Sequence, residues 1–220
     1  ALYTVVLEFK RFPLFVLPAS ALAALGTNAV PFLFQAMFSL QQVGYYAIAN
    51  RFLMAPSSLL GGAVAEAFRA EFVDRHKRGQ RSAPLFRNTL GKLVFVAVPV
   101  FGVFFLIAPL LFSFLLGDVY RAAGVLSRYL CIGVLAQFVS QPFQYVFVAT
   151  GYVRLGLLMQ SVATVLPLLG AILGGLDGNM ERSILFAAML TVATSALQVL
   201  TAYRCCQLRD AALHTNVSDA

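Results

Sequence analysis

The sequence predicts an all-α integral membrane protein with about six transmembrane helices. Hydrophobic residues make up 60% of its 220 residues, charged residues make up 11%, and the mean hydropathy is +0.82. A soluble domain typically has about 25% charged residues, so a soluble fold of this chain would have too little polar surface. Lipid solvates apolar side chains directly. The apolar stretches also have the length of ~20 residues that a bilayer-spanning helix needs.

Six apolar stretches follow one another along the chain, and the connections between them are short except at one place. The exception is a charged loop at residues 69–92, between the second and third stretches, whose first half is a candidate for continuing the second span as an amphipathic helix at the interface. A lead-in at residues 1–11 precedes the stretches and a polar tail at residues 204–220 follows them. Because the charged lead-in passes directly into an apolar run, we expect a fragment or one half of a longer protein. The predicted spans cover about residues 12–38, 43–68, 93–116, 119–149, 152–173 and 184–203.

The distribution of positive charge predicts the orientation of these spans. Twelve Lys and Arg residues fall on the side that holds both ends of the chain and the loop 69–92, whereas Arg121 and Arg182 fall on the other side. Cytoplasmic segments carry the excess of Lys and Arg, so both ends should be cytoplasmic. The twelve are Lys10, Arg11, Arg69, Arg75, Lys77, Arg78, Arg81, Arg87, Lys92, Arg154, Arg204 and Arg209.

Proline and polar residues inside the spans favour a transporter over a passive anchor. Eight of the nine prolines lie in or at the spans, where each one removes a helical hydrogen bond and tends to bend its helix. Five spans also carry polar residues at helical spacing. Contact between helices explains some of these residues, and a water-filled cavity would explain the rest. They include Asn28 and Gln35 in the first span, Arg51 and Ser58 in the second, Gln137, Gln141 and Gln144 in the fourth, Gln160 in the fifth, and Thr191 and Gln198 in the sixth.

Two arginines lie inside spans that the chain enters from the outer side. Arg51 is about eight residues past the start of its span and Arg128 about nine, which places both ~12–14 Å deep. An arginine at that depth needs water, a partner or a cavity, although its long side chain can also extend back to the interface. On an ideal helical wheel Arg128 lies opposite the stripe of Gln137 and Gln141.

Several segments resemble bacterial polysaccharide and O-antigen flippases, the oligosaccharidyl-lipid branch of the multidrug/oligosaccharidyl-lipid/polysaccharide exporter superfamily. The resemblance extends from about Phe12 to Gln160. Its order and spacing are more specific than any one motif, and Tyr120 stands where many relatives have Trp. The segments are RFPLFVLPASAL (11–22), VGYYAIANRFLMAPSSLLGGAVAEAF (43–68), RSAPLFRNTLGKL (81–93), LFSFLLGDVYRAAGVLSRYL (111–130) and QFVSQPFQYVFVATGYVRLGLLMQ (137–160).

The resemblance implies a fold and a function. Family members have about twice as many spans, so this chain would be the C-terminal half of a two-half bundle with the transport path between the halves. The implied function is flipping of a lipid-linked diphosphate oligosaccharide across the bacterial inner membrane during surface polysaccharide synthesis. The implied partners are this substrate, the missing N-terminal half and polysaccharide polymerase or ligase machinery, without nucleic acid.

Alternative functions stay open at this point. A cation-coupled multidrug exporter of the same superfamily needs acids within the membrane, and this half has none deep in a span. A membrane polysaccharide ligase or polymerase needs an acid, base or nucleophile held in geometry, and both histidines lie in polar segments. Cys131, Cys205 and Cys206 lack metal-site spacing. We therefore expect a transporter that is not an enzyme and has no metal or other cofactor.

The candidate site residues form two sets with different roles. Always-charged guanidinium groups can bind a diphosphate through paired hydrogen bonds, and amide side chains can bind sugar hydroxyls. The set expected to face the cavity and bind the substrate head is Asn28, Arg51, Arg128, Gln137 and Gln141. The set expected to hold the inner interface through anionic lipid head groups is Lys77, Arg78, Arg81 and Arg87.

Overall fold

The structure, a computed structural model, describes residues 29–218, and within that range the chain is helical with short connections. Two 3₁₀ turns, at Asp118–Tyr120 and Gln141–Phe143, precede α4 and α5. Asn28 and most of the first predicted span lie outside the described residues. The helices are α1 (residues 29–37), α2 (Leu40–Lys77), α3 (Ala83–Leu116), α4 (Arg121–Ser140), α5 (Gln144–Ala149), α6 (Val153–Gly175) and α7 (Met180–Ser218).

Four stretches of the described chain are long and apolar enough to cross a membrane: Ala83–Leu116, Asp118–Ala149, Val153–Gly175 and Met180–Ala211. Together with the absence of strands in residues 29–218, they confirm an all-α membrane protein. The count of four differs from the predicted six. The first predicted span lies mostly outside the described residues, and the second lies in α2, where Asn50 and Arg51 interrupt the apolar run.

Helix α2 continues well past its apolar part, into the segment predicted as a charged loop. It ends at Lys77, and only residues 78–82 connect it to α3. Ion pairs at i, i+4 spacing favour this extension. Arg75 Nε lies 2.8 Å from Glu71 Oε1, and Arg78 lies 3.2 Å from Asp74. The chain then turns at Gly79, whose φ of +65° suits glycine.

Helix α4 is the centre of the bundle, because it packs against α2, α3 and α7, while α6 packs on α7. Small residues let these helices approach closely. A Cβ at Gly124 of α4 would lie 2.5 Å from Pro109 Cα of α3. A Cβ at Gly174 of α6 would lie 2.7 Å from the Arg182 carbonyl of α7. These glycines therefore set the spacing of the helices that carry the candidate site.

An aromatic cluster joins the helices where α2 ends and α3 begins. The Phe86 ring lies 4.0 Å from Phe143 and 5.5 Å from Tyr203 between centroids, and Phe68 lies 5.2 Å from Phe143. Phe68, Phe86 and Phe143 are buried. Since the four rings come from four parts of the chain, they fix α2, α3 and α7 relative to one another. We call this part of the bundle the basic end, comprising residues 69–92 and 203–211.

Candidate functional site

One side of α4 and its continuation carries a row of exposed glutamines within an apolar span. Gln137, Gln141 and Gln144 recur at i, i+4 and i+7, and all three are exposed. Gln141 extends to α2, where a Cβ at Gly61 would lie 2.7 Å from its Oε1. Gly61 thus leaves room for this amide beside α2. The row lies inside the candidate span Asp118–Ala149, so it gives that span a polar, accessible strip.

Arg128 lies on the other side of α4 and bonds to the backbone of α3. Its Nε donates to the Phe105 carbonyl at 2.9 Å and its Nη2 to the Leu106 carbonyl at 3.0 Å. The guanidinium also lies over the Phe105 ring, 5.8 Å from its centroid. Pro109, four residues after Phe105, has no N–H to donate to that carbonyl. Arg128 therefore supplies the hydrogen bond that Pro109 removes from α3.

Close packing surrounds this arginine. Besides the Pro109 contact, a Cβ at Gly124 would lie 2.8 Å from the Ala108 carbonyl. One turn after Arg128, Cys131 Sγ donates to the Phe101 carbonyl at 3.3 Å. Gly124 and Cys131 are buried, and Arg128 is half-buried. The side of α4 that faces α3 is therefore closely packed at Gly124, and its polar groups at Arg128 and Cys131 satisfy backbone carbonyls of α3.

Arg51 has a different environment from Arg128. It is exposed on α2, on the side away from the buried row of Ala49, Leu53 and Ser57. Within residues 29–211 its guanidinium makes no hydrogen bond or ion pair. The guanidinium of Arg51 is therefore accessible to water or to a group outside the described residues.

The residues predicted to bind the substrate head do not form one cluster in the described chain. Gln137 and Gln141 lie on one side of α4, and Arg128 lies on the opposite side against α3. Arg51 faces away from the α2–α4 contact, and Asn28 lies outside the described residues. The substrate-binding role of each residue stays a prediction. A single substrate site that includes both Arg51 and the glutamine row would also need a surface from outside residues 29–211.

The basic end is held by an acid that the sequence analysis did not single out. The Asp210 carboxylate of α7 accepts hydrogen bonds from the Ser82 N–H at 2.9 Å and the Ala83 N–H at 2.8 Å. These N–H groups begin α3 and have no partner within that helix. Asp210 is buried, so the carboxylate caps α3 from a distance of 127 residues in sequence. Asp210 lies one helical turn after the buried Cys206, on the same face of α7.

Arg209 strengthens the same contact. Its Nη1 donates to Ser82 Oγ at 2.6 Å, and its guanidinium lies over the Phe72 ring, 5.6 Å from the centroid. Partial burial and, second, the positive charge of Arg209 lower the pKa of His76. The tail predicted after residue 203 is thus a continuation of α7 that ties α2 and α3 together.

The four residues predicted to hold the membrane interface are all exposed at the basic end. Lys77 is the last residue of α2, and Arg78 pairs with Asp74. Arg87 lies one turn into α3 on its exposed side. Contact with lipid head groups stays a prediction for Lys77, Arg78, Arg81 and Arg87. In the described part of the chain, no cluster of three His, Cys, Asp or Glu residues is placed to hold a metal ion.

Comparison with known protein families gives one match. The model of the family described as polysaccharide biosynthesis protein matches residues 4–124, more than half of the chain. The chain belongs to the polysaccharide biosynthesis protein family. No curated protein and no solved structure matches it. Residues 83–211 form apolar helices that are long enough to span a bilayer, so this member of the family is a membrane protein.

Proposed function

We propose that this protein flips a lipid-linked diphosphate oligosaccharide from the inner to the outer leaflet during surface polysaccharide synthesis. The diphosphate and sugar head of such a lipid cannot cross hydrocarbon unaided. A transporter needs to offer it a polar path while the lipid tail stays in the bilayer. No bond is made or broken in this step, so the proposed activity is transport by alternating access.

The observation that supports this proposal is the exposed glutamine row in a membrane-spanning helix of a polysaccharide biosynthesis protein. Polar side chains that face lipid are costly, so Gln137, Gln141 and Gln144 need protein or a hydrated path opposite them. Arg51 adds an exposed positive charge on the neighbouring helix. Amides suit sugar hydroxyls, and a guanidinium suits a diphosphate.

We propose that a second half of the transporter covers both the glutamine row and the exposed side of α2 that carries Arg51. Parallel halves around an axis along the membrane normal would enclose the glutamine row and Arg51 between them. Asn28 would line the same path. The bacterial inner membrane is the proposed location, with the basic end in the cytoplasm, since the predicted topology puts twelve Lys and Arg residues on that side. Polymerase or ligase machinery would receive the flipped product.

A transport assay tests the proposal with a double substitution in the glutamine row. Purified protein in vesicles should expose a labelled lipid-linked oligosaccharide to an impermeant quencher. Gln137→Leu with Gln141→Leu should slow that exposure about tenfold, since each lost hydrogen bond contributes roughly 0.5–1.5 kcal/mol. The thermal midpoint of the detergent-purified variant should not fall, because leucine suits an apolar span.

Thr201→Val is the matched control, because it also removes a polar group from a spanning helix. The Thr201 hydroxyl donates to the Leu197 carbonyl of its own helix, so transport should stay within about twofold of wild type. Equal slowing by both variants would contradict a path along the glutamine row. Export of a cationic dye driven by a sodium or proton gradient, without oligosaccharide flipping, would favour the multidrug exporter instead.

A further inference from the structure

A cavity of about 1030 Å³ opens between α3 and α7 at the basic end. The α3 wall is formed by residues at helical spacing, Arg87, Asn88 and Lys92, with Phe95 one turn further along. The α7 wall includes Tyr203 and Gln207, at i and i+4. The cavity therefore lies between two stripes on facing helices, and its volume is at the upper end of the range for ligand pockets.

The charge of the cavity is positive. Arg81, Arg87 and Lys92 line it, and the acid among its lining residues is Asp210. Asp210 is engaged by the Ser82 and Ala83 N–H groups, so its carboxylate already has its partners. Arg87 and Lys92 form no ion pair within residues 29–211, and the amides of Asn88 and Gln207 form no hydrogen bond there. Two cations and two amides are thus available to one anion.

Along the helix axes, the cavity lies at the depth where lipid head groups are expected. Residues 93–116 of α3 contain no charged residue, and at 1.5 Å per residue they span ~36 Å, enough to cross the hydrocarbon core. Lys92 is the last charged residue before this run, and Tyr203 ends an uncharged run in α7. Phe95, which is 81% exposed, gives the cavity an apolar edge on the membrane side.

We propose that this cavity is a specific site for the phosphate head group of an anionic phospholipid. Arg87 and Lys92 bind the phosphate oxygens by charge-assisted hydrogen bonds, and Asn88 and Gln207 bind the remaining phosphate or glycerol oxygens. An acyl chain lies along Phe95. Basic pockets between transmembrane helices are a recognised mode of anionic lipid binding. The site stands apart from the glutamine row and does not rest on the proposed transport function.

The test compares two pairs of charge-removing substitutions in the purified protein. Affinity for phosphatidylglycerol is titrated in delipidated detergent solution by native mass spectrometry, with phosphatidylcholine as the neutral lipid. Arg87→Gln with Lys92→Gln should weaken phosphatidylglycerol binding about thirtyfold, from two lost basic contacts near the surface. Arg69→Gln with Arg75→Gln removes the same charge at the same end, at residues that lie outside the cavity and outside the set predicted to hold the interface, so it should change affinity less than about threefold.

A third variant and two competing ligands distinguish a lipid site from general attraction of anions to the basic end. Phe95→Ser keeps every charge and should weaken binding about tenfold through the lost acyl contact. It also tests the site independently should the first pair unfold, which a thermal scan without lipid would reveal. Equal weakening by the two charge pairs would overturn the proposal in favour of general surface attraction. Displacement of the lipid by millimolar inorganic phosphate, or equal binding of phosphatidylcholine, would overturn it too.

Discussion

The two sides of α4 use polar residues in opposite ways. On the side that faces α3, Gly124 contacts the backbone at Pro109, and Arg128 donates both of its hydrogen bonds to α3 carbonyls. On the side that borders α2, Gln137 and Gln141 are exposed. We call these the closed side and the open side of α4. Both lie in one candidate span, Asp118–Ala149, so membership of a spanning segment does not distinguish them.

The difference separates polar residues that satisfy the backbone of a neighbouring helix from polar residues that are proposed to serve transport. A backbone carbonyl that lacks a hydrogen bond in the apolar part of a span is costly, and Arg128 removes that cost where Pro109 interrupts α3. The glutamines of the open side satisfy no backbone group of a neighbouring helix in the described chain. Substitutions on the closed side should therefore lower stability, and substitutions on the open side should lower transport.

The largest loss of stability should follow Gly124→Val on the closed side. Even the Cβ would lie 2.5 Å from Pro109 Cα and 2.8 Å from the Ala108 carbonyl, and these backbone atoms cannot move without separating α3 from α4. Overpacking of this kind costs ~1–3 kcal/mol or more, and the thermal midpoint in detergent should show it. Gly102→Val of α3 is the control, since a Cβ there meets nothing within 4 Å. Equal midpoints for the two variants would contradict a closed α3–α4 contact.

A smaller loss, about 2 kcal/mol, should follow Arg128→Met, because the Phe105 carbonyl then lacks a donor. The cost should shrink in a Pro109→Ala background, where residue 109 again has an N–H to donate to that carbonyl. A double-mutant cycle of unfolding free energies measures this coupling. Transport per folded molecule should stay near wild type. A variant that keeps its stability and loses transport would instead support the substrate-binding role predicted from the sequence.

The smallest effect, roughly 1 kcal/mol, should come from Asp210→Asn at the basic end. A single carboxylate oxygen, Asp210 Oδ2, lies 3.0 Å from the Ser82 N and 2.8 Å from the Ala83 N, so the amide oxygen can still accept from both N–H groups, but both bonds lose the negative charge that strengthens them. The matched control is Asp177→Asn, which breaks an exposed pair with Arg182 at 3.0 Å and should cost little. Equal thermal midpoints for the two variants would show that α7 does not cap α3.

By itself the sequence determined the class of the protein and much of its helical layout. Low charge and long apolar runs force membrane helices, because such a chain cannot cover a soluble surface. Four spans appear in the described residues, and four of the five segments that resemble polysaccharide flippases overlap the family match at residues 4–124. The period of a helix also placed Gln137 and Gln141 on one stripe, and put Arg128 opposite them. These properties depend on composition and local spacing, which the sequence shows directly.

Only the tertiary structure decided what each polar group faces. The partner of Arg128 is a carbonyl that Pro109 leaves free on another helix, and the closeness of Gly124 to that helix brings the two together. The partner of Asp210 is the start of a helix 127 residues away in sequence. Sequence spacing fixes the direction of a side chain around its own helix, but not which helix packs there. Contacts between helices depend on side-chain packing over the whole bundle, and that packing separates a structural arginine from an exposed one.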